Sequence, residues 1–496
     1  MNRTTSWTVS GVALITALIA VQAAPAQTAF QAKALPPMEV LRAAKPFQDN
    51  NGLIPPKGVY SGPLFKLNHA WPATLPPLGG APWQVAIDNG TINVKNAPAY
   101  AKALKDAVTK NGRDLIMHYD TWDAAKAGWY NEPWLGSLRE AIHGTYEAGQ
   151  FGPSIFPGTG LRATFQTHVL TYYDARAAYT MHTFWGDSAM KPDLRTGPSQ
   201  FAEGSIIVKA AVFTSTNPAM PRDWWDALKG AQEWPIYEVV APSRTDGIPQ
   251  PWPGYVAQFD IIVKDSHSSP KTGWVFMTLV YDSSVPGDAW DKMVPLGVQW
   301  GNDPQADRPG IPLQENWNNP KAPLYATQTL GWGGRLSGPN DGGRNDIAVN
   351  GKPMPNTPNS SCMSCHSTAQ WNNDIHRMPS FLLPSFATAE QPYFQTCGKD
   401  GKPVKGGTFI CSPEPGSKAW MKWFQNRLGT QSMDEGSFAT DFDEVFSFKA
   451  LGLWWAATGP ANQPPPMLLR LPGQPAQFNQ YTGAPLPAEA TTTAKP

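Results

Sequence analysis

From residue 98 the apolar positions recur about every fourth residue. Tyr100, Leu104 and Val108 share one helical face and Pro98 suits an early helical position, so a helix is expected over 98–110. A similar run over about 133–146, with Leu138 and Ile142, predicts a second helix. Further on the period drops to two: between Ser205 and Thr214, Ile206, Val208, Ala210 and Val212 line one strand face. Tyr255, Ala257, Phe259, Ile261 and Val263 repeat that pattern, 273–281 is another β-rich run, and 164–173 and 179–185 add two more strands. Strands this close, without regular intervening helices, imply an antiparallel sheet or sandwich and argue against a Rossmann domain. After residue 416 the helical period returns. Ser417 can cap a segment displaying Trp420, Trp423, Phe424 and Leu428, and Asp443 can cap one carrying Val445, Phe448, Leu451, Gly452 and Trp455.

The two ends read differently. Arg3, the apolar run Val9 to Val21 and the small residues Ala24-Pro25-Ala26 make an export signal over 1–26, too short to span a bilayer comfortably. An uncleaved anchor is the alternative. No later segment has 18 consecutive apolar residues, so the mature chain is expected to be periplasmic or secreted, with no transmembrane segment. Residues 27–95 are proline-rich with turn signals and are expected to wrap the surface, while the tail over 460–496 is dominated by Pro, Gln, Ala and Thr.

Composition adds constraints. Lys+Arg and Asp+Glu are equal at 39 each, which argues against a nucleic-acid partner. The 21 tryptophans point first to bulky core filler and second to aromatic-lined cavities. Acidic pairs such as Asp187 with Asp193, or Asp441 with Asp443, read as turns and helix caps, with no glycosidase or metal spacing. The four cysteines divide into two pairs. Cys397 and Cys411 are expected to close a glycine-rich loop as a disulfide, with free thiols or metal ligands as alternatives.

The other pair lies in Ser361-Cys362-Met363-Ser364-Cys365-His366-Ser367. Two sulfurs separated by two residues can attach to the porphyrin vinyl groups while the next imidazole reaches the iron, so the segment reads as a single haem c attachment site. Zinc is disfavoured because no second compact Cys/His pair lies beside it, and a thiol-redox site is disfavoured by the immediate histidine. Met433, in the polar loop 429–434, is the favoured distal iron ligand. Met378, His376, Met421 and Met467 are the other candidates, as is an open distal side. Arg335, in Gly331-Trp332-Gly333-Gly334-Arg335-Leu336, can pair with haem propionates, although a solvent-facing loop position is the simpler reading. His168 and His182 read first as structural hydrogen-bonding residues. Tyr172, Tyr173, Asp174 and Arg176 would form a polar pocket only if the strands bring them together.

Several stretches together carry a family resemblance. They are Trp134, Arg139 to Gly144, Gly204 to Phe213, Gly273 to Phe276, Val280 to Asp282, Val298 to Asp303, Leu330 to Leu336 and Asn359 to His366. Over about 100–455 the chain resembles a large family of bacterial exported monohaem cytochrome c proteins. The resemblance implies an α+β chain. A β-rich domain over 27–345 precedes a small, mainly helical, cytochrome c-like domain over 346–459. The expected function is one-electron transfer through one covalently attached haem c, serving a redox protein or a small-molecule substrate. A peroxidase-like haem with an open distal site near His168, His182 or Arg335 is the enzymatic alternative, and a haem-based ligand-binding module the non-enzymatic one.

Overall fold

A computed structural model describes residues 44–240, 248–341, 344–349, 352–374, 376, 378, 394–396, 410–412 and 415–460. The export signal, the tail beyond residue 460 with Met467, Cys397 and the side chain of Cys411 lie outside the described residues. Among the described residues, no helix is long and apolar enough to cross a membrane.

The fold is mixed α+β, centred on one antiparallel sheet of eight strands. These are β1 (Tyr146–Phe151), β2 (Phe165–Tyr173), β3 (Ile206–Ser215), β4 (Glu233–Glu238), β5 (Gln250–Lys264), β6 (Trp274–Tyr281), β7 (Met293–Gln299) and β8 (Asn316–Asn318). The order is β1-β2-β3-β5-β6-β7-β8, with β4 paired to the start of β5. A hairpin of β9 (Arg344–Val349) and β10 (Lys352–Pro358) follows. Two small pairs complete the strands: β11 (Gln370–Asn372) with β14 (Ser437–Ala439), and β12 (Phe394–Thr396) parallel to β13 (Ile410–Ser412).

Every residue of β6 is buried, so the sheet is covered on both faces. One face is closed by helix α1 (Ala97–Met117), whose Tyr100, Leu104, Val108, Leu115 and Ile116 are buried. Gly112 lies within α1. In the fold it lets α1 approach the Trp290 ring, because a β-carbon there would collide with that ring. Trp290 in turn meets Phe259 edge-on at 5.2 Å. Successive strand residues face opposite ways, so Asp260, beside Phe259, points to the other face. There it shares a register row with Lys209 and Thr278.

Two expected elements change identity. Over 179–185 a strand is replaced by helix α2 (Ala175–Trp185). Asp174 caps it, accepting from the Ala177 N–H at 2.8 Å, and its buried Ala177, Ala178, Met181, Phe184 and Trp185 follow helical spacing. Over 133–146 the expected helix is a short 3-10 turn, Leu135–Ser137, followed by turns. The Glu140 carboxylate takes the N–H groups of Ile142, His143 and Thr145, and Trp134 and Gly144 adopt positive φ, so the backbone donors a helix would need are committed locally. Helices are thus interspersed along the chain instead of gathered in a separate C-terminal domain. The described residues fall in one compact unit. Most of the described tryptophans are core: Trp134, Trp185, Trp224, Trp234, Trp274, Trp290, Trp371 and Trp420 are among the largest fully buried side chains.

Candidate functional site

Cys362 to His366 form a single helical turn, α3. Ser361 begins it with a capping box: its hydroxyl accepts from the Ser364 N–H at 3.1 Å, and the Ser364 hydroxyl accepts from the Ser361 N–H at 2.9 Å. Gln299, at the end of β7, anchors the turn from below. Its Oε1 accepts from the Met363 N–H at 3.1 Å and its amide donates to Ser361 Oγ at 3.2 Å. The loop 331–336 holds the approach to the motif. Trp332 N–H donates to the Ser360 carbonyl at 2.8 Å and Cys362 N–H to the Leu336 carbonyl at 2.9 Å. Gly331 is required there because a β-carbon would strike the Ser360 carbonyl oxygen.

The turn lies against the sheet face opposite α1. Cys362 Sγ is 4.0 Å from Thr278 Oγ1, and the His366 ring is 4.8 Å from that of Phe276, two residues along the same strand. The thiols, at positions i and i+3 of one turn, are half-buried and unpaired. Cys365 Sγ donates to Glu444 Oε1 at 2.9 Å. Burial pushes the Cys365 thiol well above the ordinary range and Glu444 adds to it. Burial does the same to Cys362, with Asp341 and Asp260 adding and Lys209 opposing.

His366 Nδ1 is 2.7 Å from the carbonyl oxygen of Phe442, which requires Nδ1 to carry the proton it donates. Nε2 is then the lone-pair nitrogen, and it has no hydrogen-bond partner among the described residues. Phe442 and its neighbour Asp441 both have left-handed backbones, φ 68 and 48, which aim this carbonyl at the imidazole. Behind them runs a continuous helical segment, α4. It begins as a π-helical turn, Val445–Ala450, and continues as Leu451–Thr458. Asp443 caps it by accepting from the Phe446 N–H at 3.1 Å, as its sequence position implies, and accepts a second bond from Tyr173 Oη at 2.8 Å. Burial raises the Asp443 carboxyl to about 6.

The remaining candidates are dispersed. Arg335 is fully buried rather than solvent-facing. It donates to the carbonyls of Asn302, Trp332, Asp303 and Ala306 at 2.8 to 3.0 Å and lies over the rings of Trp332 and Phe424. Those bonds clamp the loop 331–336 to the segment 302–306, and the adjacent Leu336 carbonyl takes the Cys362 N–H. Met433 and Met378 are both buried, yet neither belongs to a hydrophobic cluster of the described residues. Met378 Sδ accepts from Ser447 Oγ at 3.5 Å, while Met433 sits in a loop tied to β11 by reciprocal bonds between Asp434 and Gln370. His376 stacks on Trp455 at 3.5 Å, and Met421 is buried with Trp332, Trp420 and Phe424. His168 shares a strand face with Leu170 and Tyr172, away from the motif, and is engaged by Glu238 at 3.1 Å and Thr214 at 3.2 Å. His182 is 3.6 Å from the exposed Asp187. Tyr172 and Tyr173 point to opposite faces and Arg176 bonds to the carbonyls of Pro76 and Glu203, so these residues do not form one polar pocket.

Two expectations are corrected. Among the described residues no disulfide forms, Cys362 and Cys365 being free, and the Cys397 and Cys411 side chains lie outside those residues. Nor do any three His, Cys, Asp or Glu side chains among the described residues converge to hold a metal ion. Among the described residues His366 stands as a single imidazole beside two thiols. Sequence reasoning missed Glu444, Thr278 and the role of Asp441 and Phe442, because none belongs to a motif and all arrive from distant strands and loops. Comparison with protein-family models, curated proteins and solved structures finds no match for this chain.

Proposed function

We propose that this chain is an exported monohaem c-type cytochrome. It holds one haem through thioethers at Cys362 and Cys365 with His366 as the iron ligand, and it transfers single electrons with a redox protein or a small-molecule substrate. The observation that carries the reading is the bond from His366 Nδ1 to the Phe442 carbonyl, 2.7 Å, on the same turn as two unpaired thiols. That bond fixes the tautomer an iron ligand needs, keeps Nε2 as the donor nitrogen and strengthens it electronically. A thiol-redox site would gain nothing from a histidine held this way, and the burial-raised thiols are poor nucleophiles. Bound haem supplies a one-electron iron couple. The chain's part is to orient His366, to bury the attachment turn against Phe276, Thr278 and Glu444, and to hold its approach with Arg335 and Gln299. Met433 is proposed as the distal ligand. It is buried outside the hydrophobic clusters, and its sulfur, unlike that of Met378, accepts no hydrogen bond among the described residues.

The test is export of the full chain in a host with haem-attachment machinery, followed by denaturation. Haem absorption and haem mass should remain with the unfolded chain, and the double variant Cys362→Ser/Cys365→Ser should lose both. An exported wild-type chain with two alkylatable thiols and no haem would overturn the reading.

A further inference from the structure

We propose that Asp441 is a positioning residue for the proximal histidine, acting through the Phe442 carbonyl, and that Lys264 and Trp274 lock it in place. This rests on the haem reading above.

Asp441 carries the signs of a residue held against its own preferences. Its backbone and that of Phe442 are consecutive left-handed non-glycine conformations, φ 48 and 68, each of which costs free energy unless the surroundings impose it. Its carboxylate is completely buried. The surroundings that impose the conformation can be named. Lys264 Nζ meets both carboxylate oxygens at 2.7 and 2.9 Å, Trp274 Nε1 donates to Oδ1 at 2.8 Å, and the Phe201 N–H donates to Oδ2 at 2.8 Å. Lys264 ends β5 and Trp274 begins β6, and the two are register partners. The lock is therefore built on the rigid end of the central sheet. Flanking bonds fix the same segment: Ser199 Oγ donates to the Ala439 carbonyl at 2.7 Å and the Thr440 N–H to the Ala369 carbonyl at 3.0 Å.

The consequence is mechanical and then electronic. With Asp441 held, the Phe442 carbonyl cannot rotate away, and the His366 N–H stays bonded to it. A strong bond at Nδ1 increases electron donation from Nε2 and favours the ferric state. Releasing Asp441 weakens the bond and favours the ferrous state. Asp441→Asn keeps the shape but loses the charge that pairs with Lys264, and Lys264→Met removes the cation while leaving Asp441 in place.

The measurement is redox titration of the haem-loaded full chain, with resonance Raman of the ferrous form read in a Met433→Ala background, where the distal side is open and the iron–histidine stretch of five-coordinate iron is observable. Asp441→Asn and Lys264→Met should each shift the equilibrium toward ferrous iron about tenfold, about 59 mV for one electron. Both should lower the iron–histidine frequency, and Asp441→Glu should recover part of each effect. Asp265→Asn serves as the control. It breaks a comparable buried network, in which Asp265 accepts from Tyr100 at 2.7 Å and Gln84 at 2.8 Å, and should leave the frequency unchanged. Should Asp441→Asn fail to fold, Lys264→Met and Trp274→Phe carry the test. Haem-loaded variants with wild-type potential and frequency would overturn the positioning role while leaving the haem reading intact. A wild-type chain that never takes haem would instead remove the reading beneath it.

Discussion

Replacing Lys209 with methionine tests whether the polar row under Cys362 is a structural keystone. Lys209 Nζ lies 2.8 Å from both Asp260 Oδ2 and Asp341 Oδ1, with side-chain exposures of 18, 7 and 25%. Gln258 Nε2 ties the same two carboxylates together at 3.0 and 3.1 Å. Burial works against the Lys209 charge, yet the two carboxylates hold its pKa well above the usual lysine value. Methionine fills the stem's volume and removes only the ammonium, leaving the buried Asp260 carboxylate facing the partly exposed one of Asp341. Breaking a buried pair from one side costs about 3–5 kcal/mol, against about 0–1 kcal/mol for an exposed pair. The variant should escape part of this by protonating one carboxyl. Its folded state then binds a proton that the unfolded chain, with ordinary aspartates, does not bind above about pH 4. Its stability therefore rises as pH falls, and the deficit against wild type should shrink between pH 7 and pH 5 by up to about 1.36 kcal/mol per pH unit. Urea unfolding of both chains at the two pH values measures this. A deficit below about 1 kcal/mol at pH 7, or one that does not change with pH, refutes the reasoning. The double variant Lys209→Met/Asp260→Asn should recover much of the loss, because it removes the more deeply buried of the two stranded charges.

Three other outcomes follow from the same geometry. In the haem-free chain carrying Cys362→Ala, Glu444→Gln removes a charge that raises the Cys365 thiol, so alkylation at pH 8 should accelerate several-fold; an unchanged rate would separate Glu444 from the thiol. Burial depresses Lys449 to about 8, so the folded chain binds fewer protons than the unfolded one between about pH 8 and the unperturbed lysine value near 10.4. Wild-type stability should therefore rise across that window. Lys449→Met should be the more stable chain at pH 7 and should lose this rise, which urea midpoints at pH 7 and 10 can check. Met433→Ala should abolish a sulfur-to-iron absorption band in the haem-loaded ferric protein, whereas Met378→Ala should retain it; the reverse result transfers the distal role to Met378.

The parts of the fold legible from sequence are those in which local chemistry and tertiary packing agree. β2, β3, β5 and β6 appear where alternation or β-branched runs predict them, and α1 begins where its apolar stripe does. The errors lie where one side chain decides the matter. Glu140 collects backbone donors that a helix would have used, and Asp174 turns an apparent strand into a helix by capping it. Burial on both faces of the sheet also removes the clean alternation that separates a sandwich from a sheet covered by helices.

The candidate site divides along the same line. Its candidate groups sit in five consecutive residues that one helical turn keeps together, whereas the groups that orient them come from afar. Glu444 reaches Cys365 from the start of α4, Thr278 and Phe276 reach Cys362 and His366 from mid-sheet, and Lys264 is 177 residues from the carboxylate it holds. Short-range pattern has no access to such pairs. What the sequence does show is Asp441-Phe442-Asp443, which reads as a helix cap, and half of that is so: Asp443 caps α4. Asp441 occupies a left-handed backbone that aspartate tolerates better than most residues, and it spends its carboxylate on Lys264 and Trp274 instead of on a helix. The large β-rich part of the chain then has a physical role at the motif beyond size. Its sheet supplies the stiffness against which a single backbone carbonyl is held to one imidazole.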